Sequence, residues 1–239
     1  MEKLLDEIES YWSTRTEGYS EVNHKELAGT QKNAWLKVLT SQFPDKPKEE
    51  IRILDIGTGP GFFPVILAEA GYHVDAVDYT EGMLEKAKEN AGDLCRNIRF
   101  LRMDAQKLDF EDNTFDVVIS RNLTWNLEHP DVAYREWVRV LKVGGRLLNF
   151  DANWYGYLYE EEQRKAYEND RKNVENNSLD DHYLCTDIER MERIALQVPL
   201  SKISRPQWDV KTLREAGLLG IRTDTEIWKT VWSEEERLN

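Results

Sequence analysis

The spacing of apolar residues changes period along the chain, and each change predicts a different element. Leu4, Leu5, Ile8, Tyr11 and Trp12 share one face at helical spacing, so residues 2–12 are predicted to form an amphipathic helix. Residues 11–27 are polar and aromatic with no regular period. Residues 28–40 return to helical spacing, with Trp35, Leu36 and Leu39 inward, and stop before a proline-broken linker at residues 43–48. From residue 51 the pattern alternates short apolar runs with amphipathic helices, as strand–helix units of a parallel sheet do. The strands are predicted at 51–56, 72–78, 98–105, 115–120 and 142–151, with helices over 62–70 and 81–92 and a third opened by His129-Pro130. Residues 152–200 leave this pattern and are helical in composition and highly charged. The segment 209–220 reads as a helix ended by Gly220, and residues 221–228 alternate as a strand does.

Candidate chemistry begins where the first apolar run ends. Asp55 is followed by Gly57, Gly59 and Gly61 and then a helix, a strand–turn–helix corner in which glycine lets the backbone turn tightly and approach a ligand. A dinucleotide fingerprint is G-x-G-x-x-G, whereas this chain has D-x-G-x-G-x-G, so a pyrophosphate pocket is disfavoured. Asp78 stands where the second strand should stop. A carboxylate there accepts two hydrogen bonds side by side from the ribose hydroxyls of a nucleoside lying over the sheet.

Asp55 with Gly57, Thr58, Gly59 and Gly61 resembles motif I of class I S-adenosylmethionine-dependent methyltransferases. Asp104-Ala105 is similar to the family's adenine-contacting acid and the amide after it, and Phe115-Asp116 to its F-D-x-V strand start. The resemblance is specific over about residues 51–151. It implies a doubly wound, mostly parallel α/β sheet of Rossmann-like type, S-adenosylmethionine as cofactor, and a cofactor-binding set extended by Tyr19, Asp78, Tyr79, Met83, Arg121 and Asn122. Met83 is as readily a core residue, and Trp12 and Tyr19 either close over the cofactor or anchor a helical lid. Family topology also implies an acceptor side formed by Trp12, Trp125, Asn126, Trp154 and Tyr155, with Asp151 or His182 as the base where one is needed. A seven-stranded family sheet needs one more strand after residues 221–228, and too little chain follows Trp232 to supply it. The last strand is therefore expected to be missing or replaced.

Domain expectations follow: a helical lid over 1–45, the cofactor-binding core over 46–151, a helical cover over the acceptor site at 152–205 inserted after the fifth strand, and a return to the core at 206–239. The net charge of −13 repels phosphate backbones, so a small neutral or cationic methyl acceptor is expected rather than nucleic acid. No apolar stretch approaches the roughly 18 residues that span a bilayer, and the acidic N-terminus carries no secretion signal, so a cytoplasmic protein, monomer or homodimer, is expected. Cys95 and Cys185 are far apart without a C-x-x-C partner, which argues against a disulfide framework or zinc site; no metal is expected. Two other functions stay open: a non-catalytic S-adenosylmethionine-binding sensor or partner subunit, and methyl transfer to RNA or protein.

Overall fold

The computed structural model describes residues 3–177, 186–234 and 236–237. Strands β1 (Arg52–Ile56), β2 (His73–Asp78), β3 (Ile98–Arg102), β4 (Phe115–Arg121) and β5 (Leu141–Phe150) form one sheet in the order β3-β2-β1-β4-β5. Every neighbouring pair is parallel. The helices are α1 (Leu4–Ala28), α2 (Gln31–Thr40), α3 (Phe62–Glu69), α4 (Glu81–Ala91), α5 (Pro130–Val140), α6 (Glu161–Asn177), α7 (Ile188–Ala195), α8 (Gln207–Glu215) and α9 (Trp228–Val231).

Alternation along the central strands explains the layers. Leu54 and Ile56 of β1 and Val118 of β4 enter one cluster with Tyr134 and Trp137 of α5 and Leu213 of α8. Ile53, Val117 and Ile119 point the other way, into a cluster with Trp35 and Leu39 of α2 and Phe63, Ile66 and Leu67 of α3. A strand buried on both faces has no polar side to show, and burying each such side chain contributes about 1.5–3 kcal/mol. The crossovers carrying α3 and α5 therefore lie on opposite faces, and the winding reverses between β1 and β4. Ligands of open α/β sheets bind at the carboxyl ends of the strands at such a reversal.

Three expectations are corrected outside the core. Residues 4–28 form one continuous helix rather than a short helix and an irregular stretch. The aromatic and polar positions of 11–27 lost their period because α1 has several partners, packing on α2, α4 and α7. Helix α8 ends at Glu215, ahead of Gly217 with φ +101°, and not at Gly220. Residues 221–227 form no strand: Ile221 is drawn into the cluster of α5 and α8 and Ile227 into that of α2 and α3, on opposite faces of the sheet. The intervening residues 222–226 are exposed, and five strands make up the sheet among the described residues.

Candidate active site

The glycine corner at the end of β1 is folded back on β2. The Gly57 and Thr58 N–H groups both donate to the Val77 carbonyl, at 2.8 and 3.0 Å, and Gly61 N–H donates to the Thr58 carbonyl at 3.0 Å. Gly59 N–H donates to Asp78 Oδ2 at 2.8 Å. These four amides are already engaged, so the corner does not present the open nest that a phosphate needs. Glycine is required for space and for conformation. Gly57 has φ +70° and a Cβ there would lie 2.7 Å from Leu123 Cδ2.

Two acids flank the corner in different states. Asp78 accepts Gly59 N–H on one oxygen and Thr80 N–H, at 2.9 Å, on the other. The Thr80 hydroxyl and the Tyr79 N–H also hydrogen-bond to this carboxylate, which lines the cleft. Burial raises Asp78 above the usual carboxylate range against the pull of those amides. Asp55 lies deeper, 2% exposed. Burial pushes its carboxyl up to about 7, and the neighbouring Asp78 charge adds to the shift.

The cleft runs over the carboxyl ends of β1, β2 and β4 and holds about 830 Å³, part of it open to solvent. Helix α1 closes it from above with Leu5, Ile8, Trp12 and Tyr19. At ~1.5 Å per residue its 25 residues span about 37 Å, enough to cross the whole edge of the sheet. Ion pairs hold it in place: Glu9 with Arg102 at 2.6 Å, Glu17 with Lys86 at 3.0 Å, and Glu26 with Arg121. The Arg121 guanidinium also lies over Trp35 and Phe62, 5.0 and 5.2 Å from the ring centres. The floor opposite α1 is the loop after β4. Asn122 holds φ +55° there and donates its N–H to the Phe150 carbonyl at 2.8 Å.

Residues 54–149 match the family described as "Methyltransferase domain". They form a class I methyltransferase domain. A demethylmenaquinone methyltransferase of Renibacterium salmoninarum is 31% identical over 148 residues, 62% of this chain and 60% of that protein. The ubiquinone/menaquinone biosynthesis C-methyltransferase UbiE of Ectopseudomonas mendocina is 39% identical over 103 residues, 41% of this chain and 40% of its own length. The chain thus spans about two to three fifths of the curated relatives it matches. A solved structure from Methanococcus maripaludis, named as a putative s-adenosyl-l-methionine-dependent methyltransferase, superposes with TM-score 0.56 at 22% identity, over 85% of this chain and 82% of that one. That likeness is one of fold.

The cofactor of class I methyltransferases is S-adenosylmethionine, and the cleft of this methyltransferase domain fits it: the Asp78 carboxylate lines the cleft, and the corner amides leave no phosphate cradle. Of the residues expected from sequence, Tyr19, Gly57, Gly59, Asp78, Tyr79, Met83, Asp104, Ala105, Arg121 and Asn122 line the cleft, as do Trp12 and Asn126. Met83 is both core and wall, being 2% exposed. Asp55, Thr58 and Gly61 sit beneath the corner and do not line it; a Cβ on Gly61 would meet Ala87 of α4 at 3.0 Å.

The acceptor side needs more correction. Trp125 turns away from the cleft, stacks on Tyr155 with centroids 5.0 Å apart and joins Ile8, Tyr11, Met191 and Ile194 in a satellite core. Trp154 is 42% exposed and lines no part of the cleft. Asp151 is buried and committed: it accepts from Trp125 N–H at 2.9 Å and from the Thr124 hydroxyl, and it pairs with Arg205 at 3.1 Å. A carboxylate so engaged is not free to take a proton from an acceptor. His182 lies outside the described residues, as does Cys185. Among the described residues no group of three or more His, Cys, Asp or Glu side chains gathers as a metal site would require, and no helix is long and apolar enough to cross a membrane.

Sequence reading missed Leu123, Gln106 and Glu128 in the wall. Leu123 fills the space a Cβ on Gly57 would take, a partner that the glycine pattern does not name. Glu128 is placed by the loop's path, which no local pattern encodes.

Proposed function

We propose that this chain transfers a methyl group from S-adenosylmethionine to a small-molecule acceptor. The observation that carries the reading is Asp78, which ties the glycine corner to β2 and lines the cleft at the end of that strand, where a ribose would lie. When bound, the cofactor supplies a sulfonium-activated methyl. Asp78 holds the ribose hydroxyls, and Asp104 and Ala105 receive the adenine, with Met83 against its face. Tyr19, Gly57, Gly59 and Asn122 run along the methionine end. Helix α1, through Trp12 and Leu5, keeps water out and faces the acceptor together with Asn126. In-line displacement asks these residues chiefly for alignment, which can be worth about 7–11 kcal/mol. Within this reading residues 1–45 are the lid, 46–151 the cofactor core, 152–205 the cover and 206–239 a return to the core.

The acceptor atom is O, N or S in the first reading. The relatives' names favour a second, a carbon made nucleophilic by a neighbouring hydroxyl on a quinol-like ring. The test is incubation of the purified chain with ¹³C-methyl-labelled S-adenosylmethionine and thiols, amines, phenols and hydroquinones, followed by NMR of the product. Carbon-bound and heteroatom-bound methyl groups resonate apart, so the two readings separate. Cofactor binding without turnover across the panel supports the non-catalytic alternative. Uptake of a pyrophosphate-linked nucleotide in place of S-adenosylmethionine overturns the reading altogether.

A further inference from the structure

Behind the cleft lies a buried charged network that the chemistry above does not use. Arg205, in the turn leading into α8, has its side chain 8% exposed. Its Nε donates to Asp209 Oδ2 at 2.9 Å and its Nη2 to Asp209 Oδ1 at 2.7 Å. The far side of the guanidinium faces the sheet, with Nη1 3.1 Å from Asp151 Oδ2 and Nη2 donating to Thr124 Oγ1 at 2.8 Å. Asp151 in turn accepts Trp125 N–H and the Thr124 hydroxyl, and its second oxygen accepts Ala152 N–H at 2.8 Å. One cation thus joins three distant stretches of chain: the α8 turn, the end of β5 and the loop after β4.

That loop is the cleft's floor. Residues 124–126 make one tight turn, and Leu123, Asn126, Leu127 and Glu128 on either side line the cleft. Asn126, within the turn, is 5% exposed and belongs to the cleft wall. The planar guanidinium supplies two forks at once, which an ammonium on a flexible stem cannot reproduce.

We propose that Arg205 is a positioning residue for the cleft, fixing residues 123–128 through Asp151 and Thr124 without touching the ligand. The effect on ligand affinity rests on the adenosyl reading of the cleft; the effect on the loop does not. The test compares Arg205→Lys and Thr124→Val with the wild-type chain by amide hydrogen exchange and by calorimetric titration with S-adenosylhomocysteine. In Arg205→Lys, exchange over residues 121–129 is expected to quicken about tenfold or more while β1 and β4 keep their protection. Affinity for S-adenosylhomocysteine is expected to fall at least about fivefold, by loss of a preformed floor. Thr124→Val, which removes the hydroxyl between Arg205 and Asp151 and keeps the three charges, is expected to move the same peptide by less, and it decides the matter if Arg205→Lys does not fold. Wild-type exchange in the loop of the folded variant, or quickening spread evenly over the sheet, overturns the proposal. A wild-type chain that ignores S-adenosylhomocysteine overturns the cofactor reading instead, and the exchange result still decides the role of Arg205.

Discussion

Replacing Asp55 by Asn should stabilise the empty protein above neutral pH. Asp55 is 2% exposed, and burial, assisted by Asp78, lifts its carboxyl from 3.8 to about 7. The folded state therefore binds a proton that the unfolded state has released, and stability falls as pH rises between those two values. The Asp55 contribution is fully present below about 3.8 and is lost as pH rises to about 7. Between pH 5.5 and 8 the loss integrates to about 2 kcal/mol, at 1.36 kcal/mol for each unit of separation. Asparagine keeps the shape and has no proton to lose. The assay is urea unfolding of both proteins, without ligand, at half-unit steps from pH 5.5 to 8.5. The stability of wild type relative to Asp55→Asn should fall across that range by about 2 kcal/mol and level off above pH 7. A difference that stays constant with pH would refute the reasoning, since it would mean that Asp55 is ionised in the fold throughout.

Asp78→Ala removes two charged hydrogen bonds of about 1.5–3 kcal/mol each; calorimetry should show affinity for S-adenosylhomocysteine reduced by about a hundredfold or more, with the far-ultraviolet circular dichroism unchanged. Gly57→Ala puts a Cβ 2.7 Å from Leu123 at φ +70°, and the urea midpoint should report a loss of about 1–3 kcal/mol. Asp116 is driven up by burial but held at about 2 by Lys142, Lys46 and the Arg52 N–H, so its contribution is present above about 3.8 and lost as pH falls through about 2. Asp116→Asn should then cost about 2 kcal/mol at pH 7, and the two proteins should converge near pH 2. Because a cationic ligand favours ionised Asp55, S-adenosylmethionine affinity measured by calorimetry should rise with pH to about 7 and then flatten, by at most about thirtyfold from pH 5.5 to 8. In Asp55→Asn the curve should be flat.

The core was legible because its central strands, β1 and β4, are short and buried on both faces, and because chemically distinct residues mark where strands end. Asp55, Asp78 and Asp104 each mark a strand end, and strand ends are where this kind of sheet binds ligands. Elements whose residues answer to several neighbours were less legible. Helix α1 shows its helical period only over its first turns, because Thr16 and Ser20 are buried toward α4 and Glu26 toward Arg121. Residues 221–227 alternate as a strand does but are pulled onto two faces of the sheet. Asp151 stands at the ligand side of β5, yet Arg205, far away in sequence, had already claimed it. No spacing rule sees a partner at that distance.

On the reading of the cleft proposed above, the same division explains why the acceptor is harder to read than the cofactor. The adenosyl side is built from strand ends, whose positions follow from the hydrogen-bond ladder: Asp55 is in register with Ala76, so β1 and β2 end together and Asp78 falls beside the glycine corner. The acceptor side is built from α1 and the loop after β4, whose positions follow from side-chain pairs such as Glu26 with Arg121 and Arg205 with Asp151. The second pair is buried and the first partly so, and removing one partner of a buried pair typically costs about 3–5 kcal/mol. A single substitution in either pair can therefore reshape the acceptor wall without disturbing the ladder that holds the cofactor. On the proposed reading, substrate choice follows from packing across long sequence distances, and cofactor choice from where the strands stop.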